Sequence, residues 1–138
     1  MSADIDIVGR FGKSGVDLEG TAASLLELAG RVEGPLGRQT FELKMPSVPA
    51  SPYSGYLRSM EIETGEGNVR IQRDDDRICI AGSKEKMRIL AKNIASLASQ
   101  KSDHSSEHSH IEYFPGHFYL AEGSEPLVVT RAGGTLLE

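Results

Sequence analysis

The run Arg77-Ile-Cys-Ile-Ala-Gly-Ser83, continued by Lys84-Glu-Lys-Met-Arg-Ile-Leu-Ala-Lys-Asn-Ile-Ala-Ser-Leu-Ala-Ser99, contains both periodicities on which the fold class rests. In its first part Ile78 and Ile80 alternate with other side chains, the period of a strand with one wet face. In its second part Met87, Leu90, Ala91, Ile94, Leu97 and Ala98 recur at i, i+3, i+4 and i+7. Lys84, Lys86, Arg88 and Lys92 fall on the remaining positions, which makes this an amphipathic helix. Ser83 stands where an N-cap belongs, its hydroxyl placed to accept from a first-turn amide.

Working outward, Asp17 to Val32 repeats the helical pattern with Leu18, Ala22, Leu25, Leu26, Ala29 and Val32. Gly20 weakens its first turn by about 1 kcal/mol relative to Ala, and Gly34-Pro35 ends it. Alternating apolar residues predict strands at Ile5–Gly9, Gln39–Lys44, Tyr56–Thr64, from Val69 to the aspartates, and at Arg77–Gly82. Two more strands are predicted at His108–Phe114 and Pro126–Arg131. Gly65-Glu-Gly-Asn68 and Asp74-Asp-Asp76 have turn composition, so Tyr56 to Ala81 reads as a three-stranded antiparallel meander. A β-α-β-β order then occurs twice, once from Ile5 to Thr64 and once from Arg77 to Arg131, which suggests a pseudo-repeat. Two helices are too few to cover both faces of a parallel sheet. The expected class is therefore α+β, a two-layer sandwich of mainly antiparallel sheet with both helices on one face. Residues 1–136 are read as a single domain, and the final Leu137-Glu138 as a cloning-tag remnant. Met45 to Gly55, with its prolines, is the expected ordered loop or flap, and Ser99 to Ser109, without an apolar anchor, the expected disordered segment.

Composition sets the functional limits. At 138 residues, 38% apolar and 25% charged, the chain has ordinary globular values. A net charge of −5 argues against a nucleic-acid partner, because affinity for phosphate backbones comes from clustered Lys and Arg. No stretch is long and apolar enough to span a bilayer, which argues against a membrane role. The single cysteine and a start, Met-Ser-Ala-Asp-Ile-Asp, with neither basic nor apolar run point to the cytosol.

No motif in the chain composes a reaction mechanism. Gly12-Lys13-Ser14 sits between a predicted strand and a predicted helix, the setting of a phosphate loop, but Ile7 stands where that motif needs its first glycine. Cys79 lies between two isoleucines and reads as a small buried hydrophobe. The densest chemistry is His108-Ser-His-Ile-Glu-Tyr-Phe-Pro-Gly-His-Phe-Tyr-Leu120, which holds His108, His110 and His117, with His104 just before it. Those four histidines are weak metal-ligand candidates, since no spacing fixes their geometry and a polar loop with incidental histidines explains them better. Tyr113, Phe114, Phe118 and Tyr119 form either an exposed anchor patch or a lid on the core.

Residues 68 to 131 resemble small bacterial immunity proteins of polymorphic toxin systems. The likeness rests on Arg77-Ile-Cys-Ile-Ala-Gly-Ser, the Leu- and Ala-rich helix, and the His-x-His, Tyr-Phe-Pro-Gly-His and Pro-Leu-Val-Val pieces. It does not extend to residues 1–55. The resemblance implies a cytosolic, non-enzymatic protein, needing no cofactor, that binds a cognate toxin and blocks its active site or substrate entry. A basic toxin would suit the acidic chain. The contact surface is then expected at the Asp74-Asp75-Asp76 turn and at His110, Tyr113, His117 and Tyr119. Two other readings stay open: a small metal- or ligand-binding domain using residues 104–117, and a homo-oligomeric interaction protein joined through exposed strand edges such as Pro126–Arg131.

Overall fold

The computed structural model describes residues 4–34, 37–99 and 107–132. Strand β1 (Ile7–Gly12) turns tightly into β2 (Gly15–Gly20), and helix α1 (Ala22–Glu33) follows. Thr21 caps it, its hydroxyl oxygen accepting from the Ser24 amide at 3.1 Å. Then come β3 (Arg38–Glu42), β4 (Gly55–Leu57), β5 (Ser59–Thr64), β6 (Arg70–Asp74) and β7 (Arg77–Gly82). Helix α2 (Lys84–Ser99), β8 (Glu107–Ile111) and β9 (Leu127–Arg131) complete the elements among the described residues. The α2 bounds coincide with those read from the periodicity, and the Ser83 hydroxyl accepts from the Lys86 amide at 3.2 Å, as its position predicts.

The class is α+β, with two helices and two mixed, mostly antiparallel sheets. One sheet runs β4-β1-β2-β9-β8 and the other β3-β5-β7-β6. Each contains a single parallel contact, β2 beside β9 and β5 beside β7. Alternation sends Ile7, Val16, Leu18, Leu57, Leu127 and Val129 of the first sheet inward, and Phe41, Met60, Ile62, Ile71, Ile78 and Ile80 of the second. These join Leu25, Leu28, Met87, Leu90 and Ile94 of the helices in one apolar cluster. The helices pack most extensively against each other.

The repeat suggested by the sequence is present in the topology as a larger unit, a hairpin, a helix and two further strands. Its first copy is β1, β2, α1, β3 and β5; its second is β6, β7, α2, β8 and β9. The caps Thr21 and Ser83 are 62 positions apart, and the same offset relates buried Leu25 to Met87, Leu28 to Leu90, Ala29 to Ala91 and Val32 to Ile94. The copies exchange strands. The first hairpin pairs with β9, Val16 opposite Leu127, and the second pairs with β5, Ile78 opposite Met60.

Several expectations are corrected. Residues 17–20 are the end of β2 and not the first turn of a helix, because Leu18 satisfies a period of two as readily as 3.6 and pairs with both Gly9 and Val129. The counterpart of β7 is thus β2 and not the strand around Ile7. Leu26, placed on the apolar face of α1, is exposed. The meander is not one: β7 lies between β5 and β6, so β5 and β7 run parallel while β6 and β7 form the antiparallel hairpin. The Gly65–Asn68 connection crosses the end of β7, Gly65 donating to the Gly82 carbonyl and Ser83 donating to that of Gly67. Tyr56–Thr64 is two strands in two sheets, broken at Arg58, whose amide donates to the Asp76 carbonyl at 2.7 Å. Residues 126–131 offer no free edge, since β9 is flanked by β2 and β8. Of the segment expected to be disordered, residues 100–106 lie outside the described residues, while Glu107–Ser109 open β8.

Gly15, in the β1–β2 turn, has a φ of +122°, and a Cβ there would run into the Pro126 carbonyl. Gly15→Ala is expected to lower unfolding free energy by about 1–3 kcal/mol. Gly30, on the exposed side of α1, faces open space, so Gly30→Ala is expected to raise it by about 0.5–1 kcal/mol. Urea denaturation of the two variants checks both signs.

Candidate functional site

Strand pairing that buries one face of the first sheet aligns side chains across the other. Tyr56 of β4 lies opposite Arg10 of β1, Arg10 opposite Asp17 of β2, Asp17 opposite Val128 of β9, and Val128 opposite His110 of β8. The neighbouring row runs Val8, Glu19, Thr130 and His108. Residues two apart on a strand share a face, so both histidines belong to this surface. Their rings meet edge to face with centroids 5.1 Å apart.

Asp17 is only 7% exposed, although it lies on the non-core side of its strand. Its Oδ1 accepts from the Thr130 hydroxyl at 2.9 Å and its Oδ2 meets Arg10 Nη1 at 3.3 Å. The same Arg10 nitrogen is closer to Glu19 Oε1, at 2.8 Å, and the guanidinium sits 5.8 and 5.9 Å from the ring centres of Tyr53 and Tyr56. Beside Asp17 a recess of about 580 Å³ opens between the β1–β2 turn, Pro52–Ser54 and Val128. Gly12-Lys13-Ser14 forms this turn between two strands, so the strand-to-helix setting that invited comparison with a phosphate loop is absent.

The aromatic loop after β8 is a second, separate feature. His117 is at its centre, with ring centroids 4.6 Å from Phe114, 4.7 Å from Tyr119, 5.7 Å from Phe118 and 6.4 Å from Tyr113. Its Nδ1 accepts from the amides of Tyr119 and Leu120 at 3.3 and 3.1 Å, so the imidazole acts as a cap for the loop. The loop is fastened to its surroundings. Val69 donates to the Tyr119 carbonyl, Ala121 donates to the Val69 carbonyl, and Lys86 Nζ donates to the Phe118 carbonyl at 3.0 Å. Tyr119 is buried, its hydroxyl accepts from Asn93 Nδ2 at 2.8 Å, and burial pushes its pKa up against that bond. Phe114 and Phe118 are 57% and 64% exposed, so the loop buries Tyr119 on the core and leaves two rings on the surface.

The acidic turn stands apart from this loop. Asp74 to Asp76 joins β6 to β7 at the end of β6 away from Val69, which bridges to Leu120. Asp76 pairs with Arg58 at 3.3 Å, Arg73 donates to the Asp75 backbone carbonyl, and Arg77 lies opposite Asp74 in the strand register. Of the expected metal candidates, His104 lies outside the described residues, His108 and His110 contact each other, and His117 Nδ1 is engaged by backbone amides. Among the described residues no three His, Cys, Asp or Glu side chains converge. Cys79 is half-buried, opposite Glu61 and on the other side of β7 from Ile78 and Ile80. Burial, reinforced by the Glu61 carboxylate, pushes its thiol pKa up.

The Asp17 recess was missed because residues 17–20 fit a helical pattern. The signal that would have found it is Gly12–Gly15 as a tight turn followed by the alternation Val16, Asp17, Leu18, Glu19. Residues 78–132 match the model of the family described as Immunity protein 32, a segment that spans β7, α2, β8 and β9. No curated protein and no solved structure matches the chain.

Burial pushes the Asp17 carboxyl above the ordinary carboxylate range, against the opposing pull of the Thr130 hydroxyl and Arg10. The folded chain thus keeps this proton to higher pH than the unfolded chain does. The linked stability is fully present below the unfolded carboxylate pKa and is lost as pH rises through the folded value. Asp17→Asn keeps an oxygen for Thr130 and removes the charge. It is expected to hold or raise stability at neutral pH and to flatten the mildly acidic part of the stability profile, as thermal melts across pH would show. His117→Ala leaves two loop amides without their acceptor and is expected to cost about 1–3 kcal/mol in urea denaturation.

Proposed function

We propose that this chain acts as an immunity protein, binding a cognate toxin and occluding it without covalent chemistry. The observation that carries this reading is the match of residues 78–132 to the Immunity protein 32 family model. The matched segment includes the aromatic loop, whose exposed Phe114 and Phe118 rings contact His117 and whose backbone is tied down by Lys86 and Val69. Large, rigidly presented rings of this kind make efficient interface anchors, because little side-chain freedom remains to be lost on binding. Tyr113 and His117 belong to that contact surface, Tyr119 supports it from beneath, and His110 extends it along the first sheet. The Asp74–Asp76 turn is a separate contact, apart from the loop, with Asp76 already paired to Arg58. The net charge of −5 suits a basic toxin.

Co-expression provides the test. Cells making the toxin domain encoded beside this chain are expected to survive when the intact chain is present. The double variant Phe114→Ala/Phe118→Ala is expected to fold and to lose at least about tenfold in toxin affinity. Failure of the soluble, intact chain to rescue such cells would remove the reading.

A further inference from the structure

The recess on the outer face of the first sheet has the composition of a socket for one kind of group. Its lining includes Asp17, a residue only 7% exposed, together with Pro52, Tyr53 and Val128. A carboxylate can accept about four hydrogen bonds. Here Thr130 donates one at 2.9 Å and Arg10 supplies a longer contact at 3.3 Å. Arg10 cannot move deeper without losing Glu19, at 2.8 Å, and its place by Tyr53 and Tyr56. One guanidinium therefore serves two carboxylates, of which Asp17 is buried, while Glu19 and Arg10 themselves are part-exposed. Burial without full compensation is also the cause of the raised Asp17 pKa. Lys13, on the rim, is exposed and makes no ion pair or hydrogen bond among the described residues, so it takes up none of the acceptor positions of Asp17.

We propose that this recess receives a guanidinium or primary ammonium group of the toxin, the cation meeting Asp17 while its hydrocarbon stem lies along Tyr53, Pro52 and Val128. The proposal rests on the immunity reading for the source of the cation but not for the chemistry of the site. A basic side chain entering here supplies the missing donors to Asp17, and the Tyr53 ring gives the stem an apolar and cation-attracting wall. Val128 lies directly beside His110 across β8 and β9, so the socket is continuous with the sheet surface that carries the histidines. The inserted residue would thus be a desolvated charged anchor within a wider contact, the arrangement in which one ion pair has most effect on affinity.

The first experiment uses arginine amide as the probe, followed on backbone amide resonances of the intact chain, with citrulline amide as the uncharged control. Arginine amide is expected to shift Gly12–Asp17, Ser54 and Val128 saturably, with roughly millimolar affinity, and citrulline amide is not. Asp17→Asn, and independently Ser14→Trp, which fills the recess from the exposed turn without touching Asp17, are expected to abolish the shifts. Lys13→Ala is expected to keep or strengthen them. Equal shifts with citrulline amide, shifts retained in folded Asp17→Asn, or binding lost in Lys13→Ala would overturn the proposal.

The second experiment places the same variants in the co-expression assay. Asp17→Asn and Ser14→Trp are expected to weaken toxin binding by about thirtyfold or more. Full protection by both would overturn the toxin as the source of the cation. If the intact chain fails to protect while arginine amide still binds, the immunity reading falls and the cation socket remains.

Discussion

Two parallel strand contacts, β2 beside β9 and β5 beside β7, carry the architecture, because each sheet is completed only by strands from the opposite half of the chain. Val16 and Leu18 lie opposite Leu127 and Val129, and Met60 and Ile62 opposite Ile78 and Ile80, all of them buried. A slip of one residue in either contact would turn every one of these side chains to the wrong face, so burial itself sets the register. An isolated two-stranded hairpin is at best marginally stable in water. The segment that matches the immunity family has its strands in both sheets, β7 in one and β8 and β9 in the other. Its pairing partners β2 and β5 lie outside the match, in the part of the chain where no resemblance was seen.

The same register constructs the polar surface. Fixing Leu18 against Val129 also fixes Asp17 beside Val128 and Arg10 beside Asp17, and it carries the line on to Tyr56 and His110. A carboxylate in mid-sheet with Arg10 on one side and Thr130 near it is thereby forced into partial burial. Desolvation and attraction then act on Asp17 in opposite directions, and desolvation is the larger. The aromatic loop follows another logic. Its order comes from backbone hydrogen bonds to Val69 and from the two amides that His117 accepts, which leaves Phe114 and Phe118 projecting from a fixed base.

Legibility differed from element to element for identifiable reasons. Helix α2 could be read to its ends because its apolar stripe runs from Met87 to Ala98 and its cap, Ser83, is adjacent in sequence. Residues 17–20 could not, since four residues do not separate the two periods when the helix that follows is genuine. The strand at Tyr56–Thr64 looked continuous because Met60 and Ile62 alternate within it, although buried Leu57 and Met60 are three apart and the backbone changes sheets at Arg58 to meet Asp76. His117 and Tyr119 were recognised as important residue types, yet their work inside the loop depends on Val69, Lys86 and Asn93, which are far away in the chain.

Local patterning was enough to establish the α+β class, two amphipathic helices, most strand positions and the hint of duplication. These depend on side chains spaced a few residues apart, whose periodicity reports which face is buried. Partner choice among strands, the exchange of hairpins between halves, the socket at Asp17 and the separation of the acidic turn from the aromatic loop arose only in three dimensions. Alternation says that a strand has a wet face but not which strand lies beside it, and it is the neighbour across the sheet, such as Thr130 for Asp17, that decides what a polar side chain can do.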